Sequence, residues 1–297
     1  EQPSRDLVED DLDTEEDERN FFGSRTILTF STEPGDWNIP AALPIKTVDG
    51  EQSSLVTSSQ YEPTLVSNDI GDAFLVWRQD VAGVTELWAS TYSAEQQALK
   101  LPGQQALNSQ CASIDNADIA CANAIRIDSA DGFSAFSPAV SVNNSNQAVV
   151  VWYQTAPGSA FTVIWANVFD GVDWLGARII STGGLDPKQS ASHADVIIDK
   201  AGRIVAVWRE WEGERFQIKS KTTAVASFIE PGVDDTPITV DKPALFAGLS
   251  LGSSDSPVIS ATNDGRVVLV WSQMVDGVSR IIAGNMDLSD GTLWQNV

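Results

Sequence analysis

This chain is poor in the residues that most enzyme and metal chemistry uses. It holds one histidine, two cysteines, two methionines and three tyrosines in 297 residues. The lone His193, in Ser190-Ala191-Ser192-His193, reads as a structural or exposed residue, which leaves Ser-His-Asp catalysis without support. Two cysteines and one histidine far from them do not make a zinc site, and no CxxC spacing is present. Basic residues are scarce as well: 18 Lys and Arg against 41 Asp and Glu give a net charge of −23. A phosphate backbone would be repelled and no basic stripe exists, so nucleic acid is not an expected partner. No run approaches the ~20 apolar residues of a membrane-spanning helix. There is no Walker loop, and Gly183-Gly184 and Gly248…Gly252 read as turn glycines rather than a dinucleotide fingerprint.

Tryptophan, by contrast, is abundant at ten residues, and it marks a repeat. The fullest copy is Phe136 to Thr182. Four strand-like runs follow one another there: Ala139-Val142, Gln147-Gln154, Phe161-Phe169 and Trp174-Ser181. Asn143-Asn146, Ala156-Pro157-Gly158 and Asp170-Gly171 separate them, residue types that tolerate positive φ or pre-set a turn. Marker tryptophans recur at Trp77, Trp152, Trp208 and Trp271, with gaps of 75, 56 and 63 residues. Such periods are long for a solenoid and suit a four-stranded blade with variable loops. A single small sheet cannot bury both faces, so the copies must pack on one another.

Residues 1–19 hold ten acidic and two basic side chains. Such a run repels itself and has little to bury, so residues 1–23 read as an acidic disordered tail. The first residue is Glu1, as expected of a chain processed on export. A lipidated cysteine ahead of it would make the tail a lipoprotein tether, which the sequence does not show. Residues 24–297 form the propeller domain. Residues 24–60 contribute half a unit: Thr26-Phe30 matches a third strand, and Gly35-Asp36-Trp37 with Ala42-Ile45 a fourth. The last unit stops at Val297, partway through its fourth strand, and the two ends are expected to meet.

An insert of about residues 103–135 carries Cys111 and Cys121, ten residues apart, and a local disulfide would staple this polar loop. Asp115, Asn116 and Asp118 have calcium-loop residue types but are out of register, so calcium stands there only as an alternative to a solvated turn. No other cofactor is expected. The irregular stretch 224–255 is a second long loop, and such loops on a rigid scaffold often carry binding.

Taken together, the pattern Pro-x-Val … Ala-x-Val-Val-Trp … Gly … Ile-Trp-Ala-Asn … Gly-x-x-Trp resembles the tandem repeats of bacterial exported proteins of the β-propeller kind. It covers roughly residues 24–102 and 136–297. A more distant resemblance is to sialidase-like propellers. Their Asp-box sets Trp three residues after Gly, whereas Trp271 follows Gly265 by six. The resemblance would also demand an arginine cluster and a tyrosine nucleophile. Only Arg78 and Arg209 share a repeat position, just after the marker Trp.

Each marker Trp is followed two residues later by Gln79, Gln154, Glu210 or Gln273, on the same strand face. Two readings stay open. The pairs pack between blades, or they form equivalent pockets with an aromatic platform and an amide for sugar rings. Trp88 and Trp165 share a third-strand position that becomes Lys219 and Ile282 in later units, so they are expected to be partly exposed and available to ligand. The marker tryptophans are expected in the core. The expected protein is an all-β propeller of four-stranded antiparallel blades, exported to the cell surface, periplasm or medium. Its expected role is non-catalytic recognition of glycan or protein, or scaffolding, with no catalytic residue assigned. A sialidase-like glycoside hydrolase and a structural subunit of a surface assembly remain the alternatives.

Overall fold

The computed structural model describes residues 60–93, 98–100, 125–182, 190–228, 236–241, 249–262, 265–288 and 294–296, together with short strands between 27 and 42. Those strands are β1 (Ile27–Leu28), β2 (Ser31–Glu33), β3 (Asp36–Trp37) and β4 (Ala41–Ala42). β1 pairs with β4 and β2 with β3, both antiparallel, as nested pairs.

Four antiparallel sheets follow, one per repeat, as the sequence pattern requires. Blade one is β5 (Gln60–Ser67), β6 (Ala73–Val81), β7 (Val84–Ser93) and β8 (Ala98–Lys100), with β9 (Ile125–Arg126) also paired to β7. Blade two is β10 (Ala135–Val142), β11 (Ala148–Thr155), β12 (Thr162–Phe169) and β13 (Arg178–Ile179). Blade three is β14 (Ala191–Ile198), β15 (Arg203–Glu212), β16 (Arg215–Ala224) and β17 (Ile238–Thr239). Blade four is β18 (Leu251–Ala261), β19 (Arg266–Val275), β20 (Val278–Asp287) and β21 (Gln295–Asn296). The fold is all-β and propeller-like. The last blade carries its own fourth strand, β21, and the N-terminal strands pair with each other. None of the described N-terminal strands pairs with the last blade. In blade one the outer place is split: β8 pairs with Thr91–Ser93 and β9 with Trp88–Ala89. The insert therefore interrupts that strand rather than lying between blades.

Each middle strand has two apolar faces. The face of the marker Trp looks back to the preceding blade, and the alternate residues look forward to the next. Trp152 and Val150 join Phe74, Val76 and Leu87 in one core, while Val149 and Val151 join Trp208 and Ile204 in the next. Trp271 and Leu269 pack with Val205, Val207 and Ile218 in the third. Period-2 alternation thus places Trp152, Trp208 and Trp271 in the interfaces between blades.

The polar partner of each Trp settles what the pair does. Every indole N–H donates to the residue two positions on: Trp77 to Gln79 at 3.3 Å, Trp152 to Gln154 at 2.8 Å, Trp208 to Glu210 at 2.6 Å and Trp271 to Gln273 at 3.3 Å. Gln154 and Glu210 also hold the segment arriving from the previous blade, and Gln273 holds the first strand of its own. Gln154 donates to Ser129 and Asp131, Glu210 accepts from Thr182, and Gln273 accepts from Ser254 and donates to the Gly252 carbonyl. All four are at most 1% exposed. The sugar-pocket reading of Gln79, Gln154, Glu210 and Gln273 is therefore corrected, because these groups are sealed in the interfaces and their hydrogen bonds are used.

Candidate functional site

The first strands, β5, β10, β14 and β18, run along a shared central cavity, each with one edge paired to its own blade. Two repeated devices fix their ends. At one end a side chain closes the first hairpin by accepting from the backbone N–H four residues on. Asn68 accepts from Asp72, Asn143 from Gln147, Asp199 from Arg203 and Thr262 from Arg266, at 2.8 to 3.2 Å. Neighbouring turns are tied together, since Asn68 Nδ2 reaches the Asn143 carbonyl at 3.3 Å and Asn143 Nδ2 the Asp199 carbonyl at 2.9 Å.

At the other end every first strand carries a β-bulge, with a non-glycine residue at positive φ in it: Glu62, Ser137, His193 and Ser256, at 53°, 48°, 52° and 49°. Such residues cost about 1–3 kcal/mol each and persist only where the surroundings over-determine them. In three blades the next residue is proline, Pro63, Pro138 or Pro257, which a bulge tolerates because no ladder N–H is needed there.

The cavity lies toward the turn end and has a volume of about 630 Å³, within the size of small-molecule sites. All four first strands wall it. Asp69, Asp195 and Asp199 are its acidic side chains, with Lys200 and Arg203 at the turns. Asp199 is committed to structure: it accepts from two backbone N–H groups of its turn and from Arg203 Nη2 at 2.6 Å. Asp195 stands two residues beyond the bulge, where the other blades carry Thr64, Ala139 and Val258. One carboxylate oxygen accepts from its neighbour Val196 N at 2.9 Å, and the other from Ile259 N of the next blade at 2.9 Å. Burial pushes its carboxyl above the usual carboxylate value, against those two backbone bonds. Asp69 is exposed at the turn end and is held by Asn144, which donates to its Oδ2 at 2.8 Å. The cavity thus holds a half-buried acid with a raised pKa and an exposed carboxylate. Asp195 was missed from the sequence. The available signal was a lone carboxylate at a position that is uncharged in the other three units.

The bulge end gathers the arginines expected to bind ligand, and both are otherwise engaged. Arg78 is buried between the rings of Tyr61 and Phe136, at 4.7 and 4.6 Å, donates to the Ala135 carbonyl and pairs with Glu62 at 2.8 Å. Arg209 donates to Ser192 Oγ, pairs with Asp255 at 2.7 Å and lies over Phe216. Each joins one blade to the next or braces its own bulge, so the ligand role expected of them is corrected. Tyr61 donates to Asp80 at 2.5 Å, and burial with that hydrogen bond raises its pKa, the wrong direction for a nucleophile. His193 bonds adjacent Ser192, and partial desolvation, then Arg209, lowers its pKa.

Trp165 is also corrected. It is 7% exposed and stacks on Trp152 with centroids 6.5 Å apart, beneath Ile179 of the fourth strand. The position varies because its partners vary: Lys219 there reaches Glu212 and Thr239 instead. Trp88 is half-buried and donates to Glu86 at 3.1 Å. Cys111, Cys121, Asp115 and Asp118 lie outside the described residues. Among the described residues no cluster of His, Cys, Asp and Glu suits a metal ion.

No family model and no curated protein matches this chain. Solved structures similar in fold include an α-L-arabinanase of Penicillium chrysogenum, at 12% identity over 93% of this chain and 73% of that one, with a TM-score of 0.48. The native arabinanase of Bacillus subtilis matches at 10% identity over 91% and 89%, TM-score 0.41. A protein of unknown function from Dyadobacter fermentans matches at 11% identity over 92% and 71%, TM-score 0.46. At such identities the likeness is one of fold. Several of these structures are named as arabinanases or arabinofuranosidases, which runs against the expected non-catalytic binding or scaffold role, although the likeness itself shows the fold alone.

Proposed function

We propose that this chain is a glycoside hydrolase that works in the central cavity, with Asp195 as its proton-carrying acid and Asp69 as the second carboxylate. Breaking a glycosidic bond needs one carboxyl that arrives protonated at the leaving oxygen and one ionised carboxylate for water or the sugar carbon. The observation that carries the reading is Asp195. Its half-buried carboxyl lines the cavity, burial raises its pKa, and among the described residues no arginine or lysine pairs with it. Asp199 cannot serve, since Arg203 and its own turn occupy it. The free edges of the first strands add backbone donors and acceptors suited to sugar hydroxyls.

Furanoside polymers are the substrates to try first, because several similar propellers are named as arabinanases and arabinofuranosidases. Reducing-sugar release is measured on arabinan and on a panel of other plant and bacterial polysaccharides. Asp195→Asn should lower kcat by about 10²- to 10⁴-fold, the usual contribution of a general acid. Turnover that is unchanged in Asp195→Asn removes the assignment of the acid, and absence of turnover across the panel removes the hydrolase reading.

A further inference from the structure

Blade four has an apolar face that in the three blades before it is buried. The third-strand residues Leu87, Ile164 and Ile218 occupy one position and are 0% exposed; their equivalent Ile281 is 74% exposed. On the middle strand, Phe74, Val149 and Val205 are at most 1% exposed, and their equivalent Val268 is 42%. On the first strand Val258 is 60% exposed, directly opposite Val270. All belong to the forward face, the one that receives the next blade. Contiguous apolar surface of this kind marks an interface.

We propose that this face receives a further β-hairpin of the repeat's own type, equivalent to the first two strands of a unit. Two observations select that occupant. The face continues the established series of blade interfaces, so its shape is that of a surface which accepts a repeat. The nested pairs of β1 to β4 correspond in sequence to the last two strands of a unit, and none of the described strands supplies that unit's first two. Such a hairpin would also add a fifth first strand beside the cavity, between β18 and β5. A second copy of this chain is disfavoured, because each copy carries a net charge of −23. The inference stands apart from the proposed hydrolase activity, because it concerns only which surface is covered and by what.

The probe is a synthetic peptide of residues 135–155, the chain's own first hairpin in blade two, with a scrambled peptide of identical composition as control. Calorimetric titration into the intact protein should show saturable one-to-one binding by the hairpin and none by the scrambled peptide. Ile281→Asp and Val268→Asp should each weaken it at least tenfold. Ile179→Asp, on an exposed outer strand of blade two, should leave it unchanged, with circular dichroism confirming that every variant is folded. Equal binding of the scrambled peptide, no binding of the hairpin, or indifference to Ile281→Asp overturns the proposal. So does a dimer in light scattering that Ile281→Asp dissociates, since a second copy would then be the occupant.

Discussion

Gln154→Ala tests whether the Trp–Gln pairs hold the blades together. Gln154 is fully buried and makes three hydrogen bonds: from Trp152 Nε1 at 2.8 Å, to Ser129 Oγ at 2.8 Å and to Asp131 Oδ1 at 2.6 Å. Truncation leaves the Trp152 indole N–H with no acceptor in an apolar interface, which costs about 1–3 kcal/mol. It also removes a bond to a carboxylate, worth about 1.5–3 kcal/mol. The expected total is roughly 3 to 5 kcal/mol once relaxation and overlap are allowed for. Urea unfolding, followed by tryptophan fluorescence and by far-ultraviolet circular dichroism, gives the value where the two transitions coincide. The double variant Trp152→Phe with Gln154→Leu removes donor and acceptor together. It should cost clearly less than the two single changes added, because no orphaned polar group remains. A cost for Gln154→Ala below about 0.5 kcal/mol, the range of ordinary surface changes, would refute the reasoning.

Burial raises the Asp195 carboxyl in the folded protein, so the folded state binds its proton more tightly than the unfolded chain does. The stability this gives is fully present below the unfolded value and is lost as pH rises through the raised folded value. The stability advantage of the wild type over Asp195→Asn should therefore be largest at low pH and shrink toward neutrality, as read from urea midpoints between pH 3.5 and 7. An advantage that grows with pH would mean that the Val196 and Ile259 N–H groups outweigh desolvation. Trp165→Ala should cost about 3–5 kcal/mol, the price of emptying a buried aromatic site, and a loss within 0.5 kcal/mol in the same melts would return Trp165 to the surface.

The four repeat units and their strand order were legible because turn residues and marker tryptophans recur at matching offsets. Spacing also put each Gln or Glu on the face of its Trp. It could not tell whether that face was covered, since an exposed platform and a sealed latch share one alternation. Trp165 misled for a related reason. Variation among Trp88, Trp165, Lys219 and Ile282 looked like freedom, whereas each residue at a buried position finds a different partner. The fourth strands were read too long, Trp174-Ser181 for a β13 of Arg178–Ile179, because most pair over only two residues. Their shared device emerges only in three dimensions: Asp128, Ser181 and Asp241 each accept the backbone N–H of a third-strand residue, Leu87, Ile164 or Ile218. The bulges went unread, although Pro63, Pro138 and Pro257 stand in three of them. Asp195 was hidden because a single carboxylate breaks a pattern without forming a new one.

The divided outer strand of blade one shows how constraint falls off with distance from the cavity. First, second and third strands are eight to eleven residues long, while the outer places are filled by pieces of two or three. β8 ends at Lys100 and β9 begins at Ile125, yet Ile127 still takes its place in the core and Asp128 still meets Leu87 N at 2.9 Å. The rim therefore behaves as a margin in which sequence can be added without being read by the interior. New loops, tags or whole modules placed at the corresponding gaps beside β13, β17 or β21 would enlarge the molecule outward and leave the walls of its cavity as they are.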